Sequence, residues 1–105
     1  MVNRGILNTA KQYVRSIPED MGVKKAFLFG SFAKGREREG SDIDIALIFD
    51  HMPDFFETQL RLMKLRRKLD LRIEPHPMLD EEFLNGLNPF AKEIRQTGLE
   101  IPLDD

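Results

Sequence analysis

Ile6, Leu7, Ala10, Tyr13, Val14 and Ile17 recur at the spacing of one helical face, with polar residues between them, and Pro18 closes the pattern. This spacing predicts a first helix. After Met21-Gly22, the apolar run Lys25-Ala26-Phe27-Leu28-Phe29 has the length of a strand and stops at Gly30-Ser31, which predicts a buried strand. Ser31 to Lys34 suits a helical turn, and the glycine-bounded charged stretch from Gly35 to Gly40 reads as a solvated loop. From Asp42 to Phe49 the period changes to two, so Ile43 and Ile45 share a face opposite Asp42 and Asp44 on a second strand.

Pro53-Asp54 offers an N-cap for an amphipathic helix of about 14 residues. Phe56, Leu60, Met63 and Arg67 lie on one side of it, with Phe55, Leu62 and Leu65 flanking. Leu69, Leu71 and Ile73 then alternate with Asp70, Arg72 and Glu74, which predicts a third strand over Leu69 to Glu74, halted by Pro75 and Pro77. The tail predicts a short helix near Leu79 to Leu84, a helix opened by Asn88-Pro89 and closed by Gly98, and a last strand at Leu99 to Ile101. The expected fold is α/β of the α+β kind, a mixed β-sheet with helices packed on it and no internal repeat or linker. At 105 residues, one small domain spanning residues 1–105 is expected. Phe27, Phe29, Phe49, Phe55 and Phe56 are expected in its core. A chain of this size leaves little room for a deep private pocket, so a partner protein or a second copy is expected to complete any site.

Hydrophobic residues make up 41% and charged residues 32%, a globular balance that argues against disorder. The absence of Cys excludes disulfide scaffolds, Cys-ligated zinc and thiol nucleophiles, and fits a reducing, cytoplasmic setting. The start lacks the apolar run of a signal peptide, and no stretch approaches the length of a membrane span, so no membrane association is expected. The net charge of −2 hides an asymmetry: residues 1–77 hold 14 Lys and Arg against 11 Asp and Glu, whereas residues 78–105 hold 2 against 7. The basic run from Arg61 to Arg72 reads as the outer face of a helix rather than a nucleic-acid patch, because no exposed aromatics interleave it.

The chemistry concentrates between Phe27 and Phe49. A Gly-Ser step between a strand end and a helical turn lets the backbone approach a ligand and adds a hydroxyl donor, which makes Gly30 and Ser31 a candidate phosphate cradle. By itself such a step is an ordinary turn; the acids after it change the reading. Asp42 and Asp44 project from one strand face about 6.6 Å apart along the chain. At an effective dielectric near 20, two such charges repel by about 2 to 3 kcal/mol, and Mg²⁺ compensates this best because it takes carboxylate and phosphate oxygens together. Asp70, on the polar face of the third predicted strand, could complete a two-metal site. Glu74 shares that face, so the third-carboxylate role could belong to either acid; Asp70 is favoured because the start of its strand lies at the edge where Asp42 opens the second, and Arg72 between them could pair with one acid rather than a phosphate. His76, between two prolines, reads as a rigid loop residue, and His51 as solvated. Lys34, Arg36 and Arg38 either steady a triphosphate or simply balance Glu37 and Glu39 in the loop.

The run GSFAKGREREGSDIDIALIF resembles the signature of the DNA polymerase beta superfamily of nucleotidyltransferases in its small stand-alone form, the minimal nucleotidyltransferase. The resemblance is tight over residues 26–49 and looser over most of the chain. It implies a nucleotidyltransferase-like core in which Gly30 and Ser31 hold the nucleotide phosphates and Asp42 and Asp44 ligate Mg²⁺, two ions in all. It implies further that Asp70 is the third carboxylate, helping to activate an acceptor hydroxyl. The implied reaction moves a nucleoside monophosphate, AMP from ATP, onto that hydroxyl with release of pyrophosphate. Minimal nucleotidyltransferases also resemble, as a class, antitoxins of toxin–antitoxin pairs whose partner is a HEPN-type helical toxin. Some adenylylate that toxin and others only block it, so a non-catalytic binding module stands as the alternative.

Overall fold

Four strands build one sheet in the computed structural model, which describes residues 2–103. The strands are β1 (Val23–Phe29), β2 (Ile43–Phe49), β3 (Ile73–Leu79) and β4 (Leu99–Ile101), in the spatial order β3-β2-β1-β4. β1 is antiparallel to both β2 and β4, and β3 lies parallel to β2. The helices are α1 (Arg4–Ser16), α2 (Ser31–Lys34), α3 (Phe55–Leu65), α4 (Asp80–Asn85) and α5 (Ala91–Thr97). Because side chains alternate across a strand, the sheet has two apolar faces with different cover. One face sets Leu28, Ile43, Ile45, Leu47 and Ile73 against Ala10, Tyr13 and Val14 of α1 and Leu62 of α3. The other sets Phe29, Ala46, Ile48 and Met78 against Phe83 of α4 and Ala91 and Ile94 of α5. Among the described residues, no helix is long and apolar enough to cross a membrane.

α1 forms over the predicted apolar stripe, and the Asn3 side chain caps its start by accepting from the Gly5 and Ile6 amides at 2.8 and 3.2 Å. The buried Tyr13 hydroxyl donates to the Leu62 carbonyl at 2.7 Å and so ties α1 to α3. Burial pushes the Tyr13 phenol well above its ordinary pKa. Replacing Tyr13 with Phe keeps the ring but removes the donor from a buried carbonyl, and is expected to lower stability by about 1 to 2 kcal/mol in denaturant unfolding. An unchanged unfolding midpoint would show that this bond carries no net stability.

Two sequence expectations need correction. The third strand runs from Ile73 to Leu79, not Leu69 to Glu74, and includes both prolines that were expected to halt it. β3 is an edge strand. The Ile43 amide donates to the Arg72 carbonyl, so even-numbered residues turn their backbone groups toward β2 while Ile73, Pro75 and Pro77 turn theirs outward. A proline nitrogen on that outer side forfeits no ladder bond. Side chains meet the outward carbonyls: Arg66 Nη1 donates to Ile73 at 2.8 Å and Gln59 Nε2 to Pro75 at 3.1 Å.

The second correction concerns α3. Its Asp54 cap forms as predicted, accepting from the Glu57 amide at 3.1 Å. Its buried side, however, is that of Leu62, while Phe56 is 83% exposed, Leu60 55% and Phe55 47%, so these two phenylalanines are not core.

Candidate active site

Strand register alone gathers most of the motif. Phe29, the last residue of β1, pairs with Asp44 on β2, so the Gly30-Ser31 turn lies directly beside the aspartate pair. Gly30 has φ 77° and ψ −156°, a conformation open to glycine and strained for other residues. A Cβ there would also run into Asp44 Oδ2. Ser31 begins α2, whose first amides have no acceptor inside so short a helix, and Gly35 at φ 67° ends it. Gly30, Ser31, Lys34, Arg36, Asp42 and Asp44 line one cleft of about 530 Å³. Asp42 is exposed and Asp44 half-buried.

His76, which the sequence reading set aside, and Glu74, which it kept as the alternative to Asp70, complete this end of the sheet. His76 lies on β3, not in a loop, and its Nε2 is 3.0 Å from Asp44 Oδ1. The His76 ring also meets Phe29 and Phe90 edge-on, with centroids 5.0 and 4.9 Å away. Glu74 stands in register with Asp44 on the neighbouring strand, half-buried. It lines a second cleft of about 280 Å³ with His76 and Phe90. Phe90 lines both clefts.

Asp70 is not brought to this group. It lies in the turn before β3, where Arg72 donates to Oδ1 from its backbone amide and Nε at 2.9 and 3.0 Å, and to Oδ2 from Nη2 at 2.7 Å. The Arg72 guanidinium holds this carboxyl below the usual carboxylate range. The expected pairing of Arg72 with one acid is therefore seen, and it occupies both Asp70 oxygens. The position expected for Asp70 rested on a strand starting at Leu69. Because pairing starts at Ile43 and Ile73, the first acid of β3 that reaches the aspartates' register is Glu74. The sequence signal lay in Glu74-Pro75-His76-Pro77, where polar residues and prolines alternate as on the two faces of an edge strand.

The donors beside the cradle are oxygens, the ligand type for a hard divalent cation. Among the described residues, no three acidic or imidazole groups form a ready-made metal cage. Mg²⁺ needs no such cage, since one or two carboxylates with substrate phosphates suffice, and Asp42 and Asp44 fit that requirement. The other charges of the cleft are Arg36, which is exposed, and Lys34, whose Nζ lies 3.0 Å from Glu93 Oε2. Arg38 lines a different and larger cleft of about 700 Å³, and Gly30, Ser31, Asp42 and Asp44 are not among its lining residues.

The sequence profile of the nucleotidyltransferase domain matches residues 7–97. Two relatives come from Methanocaldococcus jannaschii and are both described as candidate protein adenylyltransferases. MJ1215 is 38% identical over 65 residues, 58% of this chain and 76% of its own length. MJ0435 is 31% identical over 87 residues, 83% of this chain and 87% of its own. A crystal structure of a toxin–antitoxin with AMP-PNP shares the fold, with a TM-score of 0.63 and 23% identity over 90% of this chain and 70% of that one. With its Gly-Ser turn seated against an aspartate pair on the expected strands, and the family profile spanning most of its length, the chain belongs to the nucleotidyltransferase domain family and is an enzyme of that class.

Proposed function

We propose that this nucleotidyltransferase transfers AMP from ATP to a hydroxyl of a partner protein, and that the partner is a helical toxin of the HEPN type held in check by the modification. The 105 residues act as one cytoplasmic domain in this reading. The observation that carries it is the register of Phe29 with Asp44, which sets the Gly30-Ser31 turn against the aspartates in a cleft open to a polyanion. The names of the relatives support AMP as the transferred group.

In the proposed reaction the Gly30 and Ser31 backbone and the Ser31 hydroxyl grip the β- and γ-phosphates, leaving the α-phosphorus toward β3. Asp42 and Asp44 would hold Mg²⁺, two ions with the nucleotide phosphates, which supplies charge neutralisation and polarisation of the phosphoryl group. Glu74 approaches from the second cleft and takes the proton of the acceptor hydroxyl. A bond forms from that oxygen to the α-phosphorus, and the bond to pyrophosphate breaks. His76 steadies one Asp44 oxygen from the side, and Phe29 and Phe90 exclude water behind it.

Incubation of the protein with α-labelled ATP, Mg²⁺ and its co-purified partner tests this. Label on a partner hydroxyl, located by mass spectrometry, is expected; absence of label from an otherwise bound partner would overturn it. One observation favours a second reading, in which the chain only blocks its partner: the exposed Phe56 and Leu60 on α3 form an apolar strip beside Arg61 and Lys64. If blocking alone operates, a variant with both aspartates neutralised still suppresses toxicity in cells.

A further inference from the structure

Glu93 is an anion inside a cleft read here as a triphosphate site, and the family signature gives it no task. It comes from the first turn of α5, which Ala91 and Ile94 anchor to the sheet. Its Oε2 lies 3.0 Å from Nζ of Lys34, the last residue of α2. Both side chains are 33% exposed, so the pair opens to solvent at the mouth of the cleft rather than being sealed in the core. Lys34 is itself seated by the Gly30-Ser31 turn, its amide donating to the Gly30 carbonyl at 3.2 Å. The same cation thus stands one helical turn from the cradle and in the grip of a carboxylate.

We infer that Glu93 is a resident competitor for Lys34, so that nucleotide binding is an exchange of anions in which the triphosphate displaces the carboxylate and takes the lysine. This rests on the proposed reading of the cleft as the nucleotide site. A solvent-exposed ion pair is weak, because water screens both charges and ordering two long side chains costs entropy, so the exchange is easily driven. A triphosphate carries more charge than one carboxylate and offers several oxygens to an ammonium group with three rotatable donors.

Kinetics of AMP transfer to the co-purified partner at varied ATP, and equilibrium binding of Mg²⁺-ATP by the full chain, test this inference. Glu93→Gln is expected to lower KM for ATP about three- to fivefold, the ceiling set by an exposed pair, with kcat within about twofold. Lys34→Ala is expected to raise KM, and adding Glu93→Gln to Lys34→Ala is expected to bring no further gain, since the two residues act through one contact. A purely structural tether between α2 and α5 predicts the opposite sign: Glu93→Gln would leave KM unchanged or raise it, and either result overturns the proposal. Failure of the unaltered protein to bind Mg²⁺-ATP would overturn the nucleotide reading of the cleft itself. Saturable binding that Glu93→Gln does not tighten would overturn the role of Glu93 alone.

Discussion

Replacing Asp42 and Asp44 together with asparagine is expected to reduce nucleotidyl transfer by at least about 10⁴-fold, while the folded state persists. Asparagine keeps the size of each side chain and leaves a carbonyl oxygen, so the strand and its register with β1 and β3 survive. The negative charge that would draw a divalent cation toward the phosphates is gone, and with it the stabilisation of charge in the transition state. The apo double variant is expected to melt no lower than the unaltered protein, because two carboxylates on one strand face repel each other and the substitution removes that repulsion. Activity and stability therefore move in different directions. Transfer at more than a few per cent of the normal rate would reject the site, and a collapsed melting transition would reassign the aspartates to holding the fold.

Substituting Glu74 by glutamine is expected to lower kcat by about 10² to 10⁴-fold, the span of a lost general base, whereas Asp70→Asn is expected to change kcat less than about threefold. The two acids are four residues apart, and their surroundings separate them. Glu74 sits in register with Asp44 and faces the second cleft. Asp70 gives both oxygens to Arg72 and is not in the sheet. The effect of Asp70→Asn should appear in stability instead, as a loss of about 1 kcal/mol at neutral pH, since Arg72 is half-exposed and the pair is screened. Arg72 depresses the folded-state pKa of Asp70, so its contribution is complete above the unfolded carboxylate value near 4 and fades as pH falls through the lower folded value. The stabilities of Asp70→Asn and the unaltered protein should thus converge in acid. A large kcat loss in Asp70→Asn with Glu74→Gln near normal would return the third carboxylate to Asp70.

The elements that were legible in advance are those whose local pattern admits one arrangement. α1 has a single apolar stripe closed by Pro18, and its helix forms where the stripe predicts. β1 and β2 are apolar runs bounded by glycine and by the aspartate alternation, and β4 occupies Leu99–Ile101 as expected. α3 shows where local pattern is insufficient. Two apolar stripes compete along it, one through Phe56, Leu60 and Met63 and one through Leu62 and Leu65. Which of them turns inward depends on where Tyr13 and the sheet stand. β3 shows the same for strands, since prolines end a central strand but not an edge strand, and position in the sheet is not a local property.

Periodicity set the mixed α/β architecture, the resemblance carried by the run from Gly30 to Phe49 pointed to the family, and the short spacing from Gly-Ser to Asp-x-Asp brought Gly30, Ser31, Asp42 and Asp44 to one cleft. Those features are short in sequence, and a strand, a turn and the next antiparallel strand bring their residues together with little freedom to do otherwise. The placing of Asp70 and Glu74, the partner of Asp44 at His76, the pairing of Lys34 with Glu93, and the face that α3 presents were decided by the tertiary structure. They join residues 32 to 59 apart in the chain or depend on the parallel register of an edge strand, and only the packed sheet sets those distances.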